Sequence, residues 1–112
     1  MERAIAYLFG NRIIGTVKLT DVGDCVYYEM DLKNIHSSEV ELELGNDFKI
    51  IDFSYLPILV KARMRLCFYS DILPLRGMLD KTLSIKSSGG EKLAEGNIIK
   101  VYPGKRFYTE KF

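Results

Sequence analysis

Apolar and polar residues alternate along most of this chain. In CVYYEMDL, Val26, Tyr28, Met30 and Leu32 share one parity, and Tyr27, Glu29 and Asp31 share the other. EVELELG alternates without a break, setting Val40, Leu42 and Leu44 against Glu39, Glu41 and Glu43. The longest run, ILVKARMRLCFY, puts Ile58, Val60, Ala62, Met64, Leu66 and Phe68 on one side and Lys61, Arg63 and Arg65 on the other. Successive Cβ atoms of a strand point to opposite faces of its sheet, so a period of two predicts half-buried strands. Shorter runs repeat the pattern. AIAYLF aligns Ile5, Tyr7 and Phe9; RIIGTVKL aligns Ile13, Val17 and Leu19; KTLSIK aligns Leu83 and Ile85; GNIIKVY aligns Ile99 and Val101. FKIIDF is apolar on both parities.

Turn residues separate these runs at Gly10-Asn11, Gly23-Asp24, Gly45-Asn46, Gly89-Gly90 and Pro103-Gly104. Gly10-Asn11 and Gly89-Gly90 suit tight hairpins, because glycine takes positive φ without a Cβ clash. DILPLRGMLD can form one helical turn at most, since Pro74 and Gly77 interrupt it. Short strands at roughly 8–12-residue spacing predict a sandwich or barrel. Barrel closure also removes the exposed edges of a small sheet. Residues 1–112 are therefore expected to form one all-β domain, a small closed antiparallel β-barrel with Greek-key elements. Its predicted core is Ile5, Tyr7, Val17, Val26, Tyr28, Met30, Leu42, Val60, Met64, Leu66, Leu83, Ile85, Ile99 and Val101.

The charge distribution adds a possible surface chemistry to this picture. The whole chain carries a formal +1, but residues 1–56 hold 5 Lys/Arg against 10 Asp/Glu (−5) and residues 57–112 hold 11 against 5 (+6). Such asymmetry suits an anionic partner for the second half, cross-pairing of acidic and basic strands, or homo-oligomerisation through opposed charges. No segment offers about 18 consecutive apolar residues, and MERAIAYLFG lacks a cleavage site, so no membrane partner and a cytoplasmic location are expected. Cys25 and Cys67 would then be reduced, and their separation gives no metal-ligand spacing.

The glycines of SIKSSGGEKLAEGNIIKVYPG match neither a Walker loop nor a dinucleotide fingerprint, because no helix follows them. The lone histidine, His36, lies in NIHSS, where adjacent Ser37 and Ser38 seldom reach a nucleophile–base geometry. Glu39, Glu41 and Glu43 would stand about 7 Å apart on one strand face, an acidic row for a basic partner rather than a metal site. Lys61, Arg63, Arg65, Lys100, Lys105 and Arg106 could follow an anionic partner. The tail PGKRFYTEKF interleaves aromatic and basic residues, a pattern that suits single-stranded nucleic acid or a protein interface.

The segment from Leu83 to Val101 resembles the C-terminal β-barrel of elongation factor Tu and related translational GTPases. Leu83, Ile85 and Lys86 match its first strand and Gly89-Gly90 its turn. Leu93, Ala94 and Gly96 match the return corner, and Ile98, Lys100 and Val101 the final strand. The resemblance implies a closed six-stranded antiparallel barrel that performs no chemistry. No catalytic constellation, cofactor or metal motif accompanies it. The expected role is a non-catalytic binding module, with a protein partner first, of regulatory or immunity type, and RNA second. A small-ligand or enzymatic barrel with a site near His36, with Tyr27 and Tyr28 contributing, is the third reading.

Overall fold

A computed structural model describes residues 2–10, 12–37, 39–45, 48–53 and 59–101. They form nine strands: β1 (Arg3–Gly10), β2 (Ile13–Asp21), β3 (Val26–Lys33), β4 (Val40–Leu44), β5 (Phe48–Asp52), β6 (Leu59–Val60), β7 (Arg63–Ser70), β8 (Thr82–Ser87) and β9 (Lys92–Val101). A single 3-10 turn, Leu75–Gly77, interrupts the link from β7 to β8. Every pairing is antiparallel, and the sheet runs β5-β4-β8-β9-β1-β2-β3-β7-β6. The links β3–β4 and β7–β8 each cross from one end of this order to the other, the Greek-key feature expected from the sequence.

The sheet is curled into a nearly closed barrel. A flat sheet would be about 10 Å thick, whereas the molecule measures 39 × 33 × 22 Å. One buried cluster takes side chains from β1 (Leu8), β3 (Tyr28), β4 (Leu42), β5 (Ile50), β7 (Met64), β8 (Ile85) and β9 (Ile98). Among the described residues no hydrogen-bonded ladder joins β5 to β6. Tyr28 fixes the interior by stacking on Phe68, with ring centroids 4.7 Å apart, while its hydroxyl reaches Met78 Sδ at 3.5 Å. Burial pushes its phenol up from the ordinary tyrosine range.

Three expectations need correction. The nine strands exceed the six implied by the translation-factor resemblance. The inward side of β1 is Ala4, Ala6 and Leu8, not Ile5, Tyr7 and Phe9; Tyr7 and Phe9 are exposed. Likewise Ile98 is buried on β9 while Ile99 is exposed. Both parities are apolar in these strands, so alternation alone leaves the choice open, and a one-residue slip reverses every side chain. Neighbours decide it: Ala6 pairs with Val17 on one side and Ile98 on the other, whose bulk fills the interior that alanine leaves free. Finally, ILVKARMRLCFY is not one strand. Val60 pairs with Arg63 across a two-residue hairpin, with Lys61 and Ala62 both at positive φ (52° and 60°). Val60 is accordingly exposed rather than in the core.

Gly90 and Gly96 of the Ser84–Gly104 stretch are structural. Gly90 has φ 89° in the turn where its N–H donates to the Ser87 carbonyl at 2.9 Å. A Cβ added to Gly96 would lie 1.8 Å from the Tyr7 carbonyl oxygen, so β9 can approach β1 only because this residue lacks one. Gly90→Val is expected to cost about 1–2 kcal/mol through its left-handed backbone. Gly96→Ala must displace backbone and should cost more, roughly 3 kcal/mol or above. Urea unfolding of both variants measures the order; equal stabilities would contradict it.

Candidate functional site

The β6–β7 hairpin carries three of the eleven basic residues of the second half, Lys61, Arg63 and Arg65. Its tight turn requires positive φ at both central residues, yet Lys61 and Ala62 are not the Gly or Asn that adopt it easily. Each costs about 1–2 kcal/mol, and such strain concentrates at functional sites. The turn is held from outside: the Ile35 N–H donates to the Ala62 carbonyl at 3.0 Å. That bond brings the backbone beside exposed His36 up to the hairpin.

The next step depends on register. β3 pairs with β7 so that Lys33 stands opposite Arg63 and Asp31 opposite Arg65. Arg63 reaches diagonally to Asp31, donating from Nε to Oδ1 at 3.0 Å and from Nη2 to Oδ2 at 2.7 Å. This fork is the strong, planar form of an arginine–carboxylate pair. Arg65 Nε lies 4.0 Å from the same carboxylate. The Arg63 hydrogen bonds, then the charges of Arg63, Arg65 and Lys33, hold the Asp31 carboxyl below its usual range. One carboxylate thus stands among three cations, Lys33, Arg63 and Arg65, with Lys61 on the turn beyond Arg63. Arg65 keeps 70% of its side-chain surface exposed. A cavity of about 530 Å³ opens here, lined by Val60, Lys61, Arg63 and Arg65.

The other expected site residues are elsewhere. Lys100 pairs with Ala4 on β9–β1, with three strands between β9 and β7, and is bound to Glu2 at 3.2 Å. Lys105 and Arg106 lie outside the described residues, as does the aromatic tail from Tyr102. In the acidic row, Glu39 is exposed, whereas Glu41 binds Lys49 at 3.0 Å and Glu43 binds Lys86 at 3.0 Å. Two of its three carboxylates are therefore already engaged by lysines of the flanking strands β5 and β8. Sequence reading missed Asp31 as a partner of the basic row; its outward parity on a strand of opposite charge was the available signal. Tyr27 and Tyr69 continue the same outward face, their rings 4.7 Å apart. A hydrogen bond with Cys67, burial and the nearby charge of Glu29 push the Tyr27 phenol up to about 12.

The architecture belongs to the class of Greek-key barrels that superoxide dismutases use. The solved structures it matches include superoxide dismutase 5 of Candida albicans with Cu(II), at TM-score 0.71 and 14% identity over 92% of this chain and 94% of that one. Two variants of the same enzyme match at TM-scores of 0.70 and 0.71, each at 14% identity, covering 92% and 93% of this chain and 94% and 95% of theirs. No family model matches the sequence, and no curated protein matches it. The likeness is one of fold. It overturns the translation-factor resemblance, whose Gly-Gly hairpin between alternating strands is geometry any antiparallel barrel can use. It also overturns the inference that a barrel of this shape carries no chemistry, because enzymes are built on it.

Copper requires donors that the described residues do not bring together. Cu(II) favours imidazole nitrogen in square or tetragonal sets, and the chain has one histidine. Among the described residues no three His, Cys, Asp or Glu side chains converge on a point that could hold a metal ion. The residues present do not fit a copper centre. Among the described residues, no helix is long and apolar enough to cross a membrane.

The Asp31–Arg63 fork makes a pH prediction. A carboxyl held below its unfolded value of about 3.9 adds stability that is fully present above that pH and is lost as pH falls through the lower, folded value. Arg63→Met should lower the melting temperature at pH 7 and shrink the difference between pH 7 and pH 3. A difference unchanged by the substitution would show that the fork contributes nothing to acid sensitivity.

Proposed function

We propose that this protein is a ligand-binding barrel, and that its site is the cationic cavity at the β6–β7 hairpin. The ligand is a small molecule carrying a carboxylate or phosphate on an apolar body. The observation that carries this reading is the cavity itself: about 530 Å³, walled by Lys61, Arg63 and Arg65 with exposed Val60 beside them. That volume is within the range of small-molecule sites. The Asp31 fork supports the reading because it fixes the Arg63 guanidinium in place, leaving Arg65 and Lys61 to meet an anion. Holding one donor rigid reduces the ordering cost of binding.

A second reading, single-stranded RNA, is favoured by the Tyr27–Tyr69 ring pair. It lies on the same outward face as Arg65, with Tyr69 66% exposed, and exposed rings beside cations suit base stacking. Asp31 and Glu29 in the same strip count against it.

Both readings are separated by titrating the protein, in low salt, with a panel of phosphate- and carboxylate-bearing small molecules and with single-stranded RNA, using calorimetry. Arg65→Glu and Lys61→Glu should each weaken small-ligand binding roughly tenfold or more, the value of one charge-assisted hydrogen bond. Binding of small anions that survives both reversals would place the site elsewhere. RNA binding that falls on Tyr69→Ala, with no small-anion binding, would favour the second reading.

A further inference from the structure

We infer that the outward face of β1 and β2 is a self-association surface whose partner is a second copy of this chain. Phe9 is 61% exposed, Ile14 51%, Tyr7 50% and Ile99 54%. The register gathers them on one face. Phe9 stands opposite Ile14 on β2 and opposite Glu95 on β9, and Ile14 stands opposite Lys33 on β3. One row across four adjacent strands therefore reads Glu95, Phe9, Ile14, Lys33, and all four side chains are exposed. Tyr7 and Thr16 form the next row inward, and Ile5 and Lys18 the one after, with Ile99 beside Ile5. A contiguous exposed apolar patch with a polar rim marks an interaction site.

The order of charges within the row identifies the occupant. It is acidic at one end, apolar in the middle and basic at the other. A twofold axis parallel to the strands, passing between β1 and β2, reverses the row on the facing molecule. Phe9 of one copy then meets Ile14 of the other, and Glu95 of one meets Lys33 of the other, twice each by symmetry. In the following rows Tyr7 meets Thr16, and Ile5 meets the methylene stem of Lys18. Ile99 faces Glu29 at the rim, the least favourable contact. Lys33 makes no ion pair among the described residues, and Glu95 holds only Lys92 from its own strand, at 3.0 Å. The outermost row is thus complementary to itself in charge, with its apolar pair at the centre. Four strands by three rows give a footprint of roughly 400 Å² per copy, the size of a weak, transient interface.

Sedimentation velocity of the full chain from about 1 to about 300 µM tests this, with association in the micromolar range expected for so small an interface. The sedimentation coefficient should rise with concentration toward that of a dimer. Phe9→Glu should abolish the rise, with circular dichroism confirming an unchanged fold, since the side chain packs on nothing inside. Glu95→Lys and Lys33→Glu alone should each weaken dimerisation by roughly tenfold or more, because symmetry applies each change twice. The two together exchange the ends of the row and should restore it. A monomer at every concentration, a dimer that survives Phe9→Glu, or a double variant no better than the singles would each overturn the inference.

Discussion

The close approach of β9 to β1 at Gly96 is the constraint on which the rest of the molecule depends. With no Cβ there, the Tyr7 carbonyl and the β9 backbone can pack against each other, and β1 becomes the central strand of the sheet. That position fixes its parity. Ala4 and Ala6 turn inward, where Val17, Leu19 and Ile98 leave only small volumes. Larger side chains there would overpack the interior at a cost of about 1–3 kcal/mol each. Ile5, Tyr7 and Phe9 are consequently directed outward. The same choice that closes the core creates the apolar outer face, so one cannot be altered without the other.

At the far end of the sheet a different constraint operates. Among the described residues β6 contributes Leu59 and Val60 to the ladder, and the chain reverses through two residues whose side chains oppose the turn. The reversal is held by a bond from Ile35 and by the register of β7 on β3. That register brings Asp31 within reach of Arg63. Without the carboxylate, Arg63, Arg65, Lys61 and Lys33 would repel one another across adjacent strands. With it, the cluster is tolerated and still carries excess positive charge. Asp31 therefore serves both as a structural counterion and as the group that orients one wall of the cavity.

Alternation was decisive where one parity was polar. Val26, Tyr28, Met30 and Leu32 on β3, and Val40, Leu42 and Leu44 on β4, are buried as their pattern predicts. The pattern was silent where both parities were apolar, because the information that sets β1 and β9 is held by neighbouring strands rather than within their own sequences. The hairpin at Lys61–Ala62 was hidden for a related reason. Nothing in KAR signals positive φ, and the apolar residues on either side keep parity straight through the turn. The basic row was legible as a row of residues, but its counterion and its cavity were products of strand pairing. Lys100, read as part of it, is on the opposite side of that pairing.

The comparison with a copper-holding enzyme makes plain how far fold and chemistry can separate. A barrel of this kind determines where strands and links are placed, and so where donors could be gathered. It does not supply them. In this chain β4 and β5 are joined through Gly45 with few intervening residues, and the single histidine is on the β3–β4 crossing beside the β6–β7 hairpin. Among the described residues, the polar side chains that converge at the hairpin are cations around one carboxylate, a set whose charge suits an anion better than a metal ion.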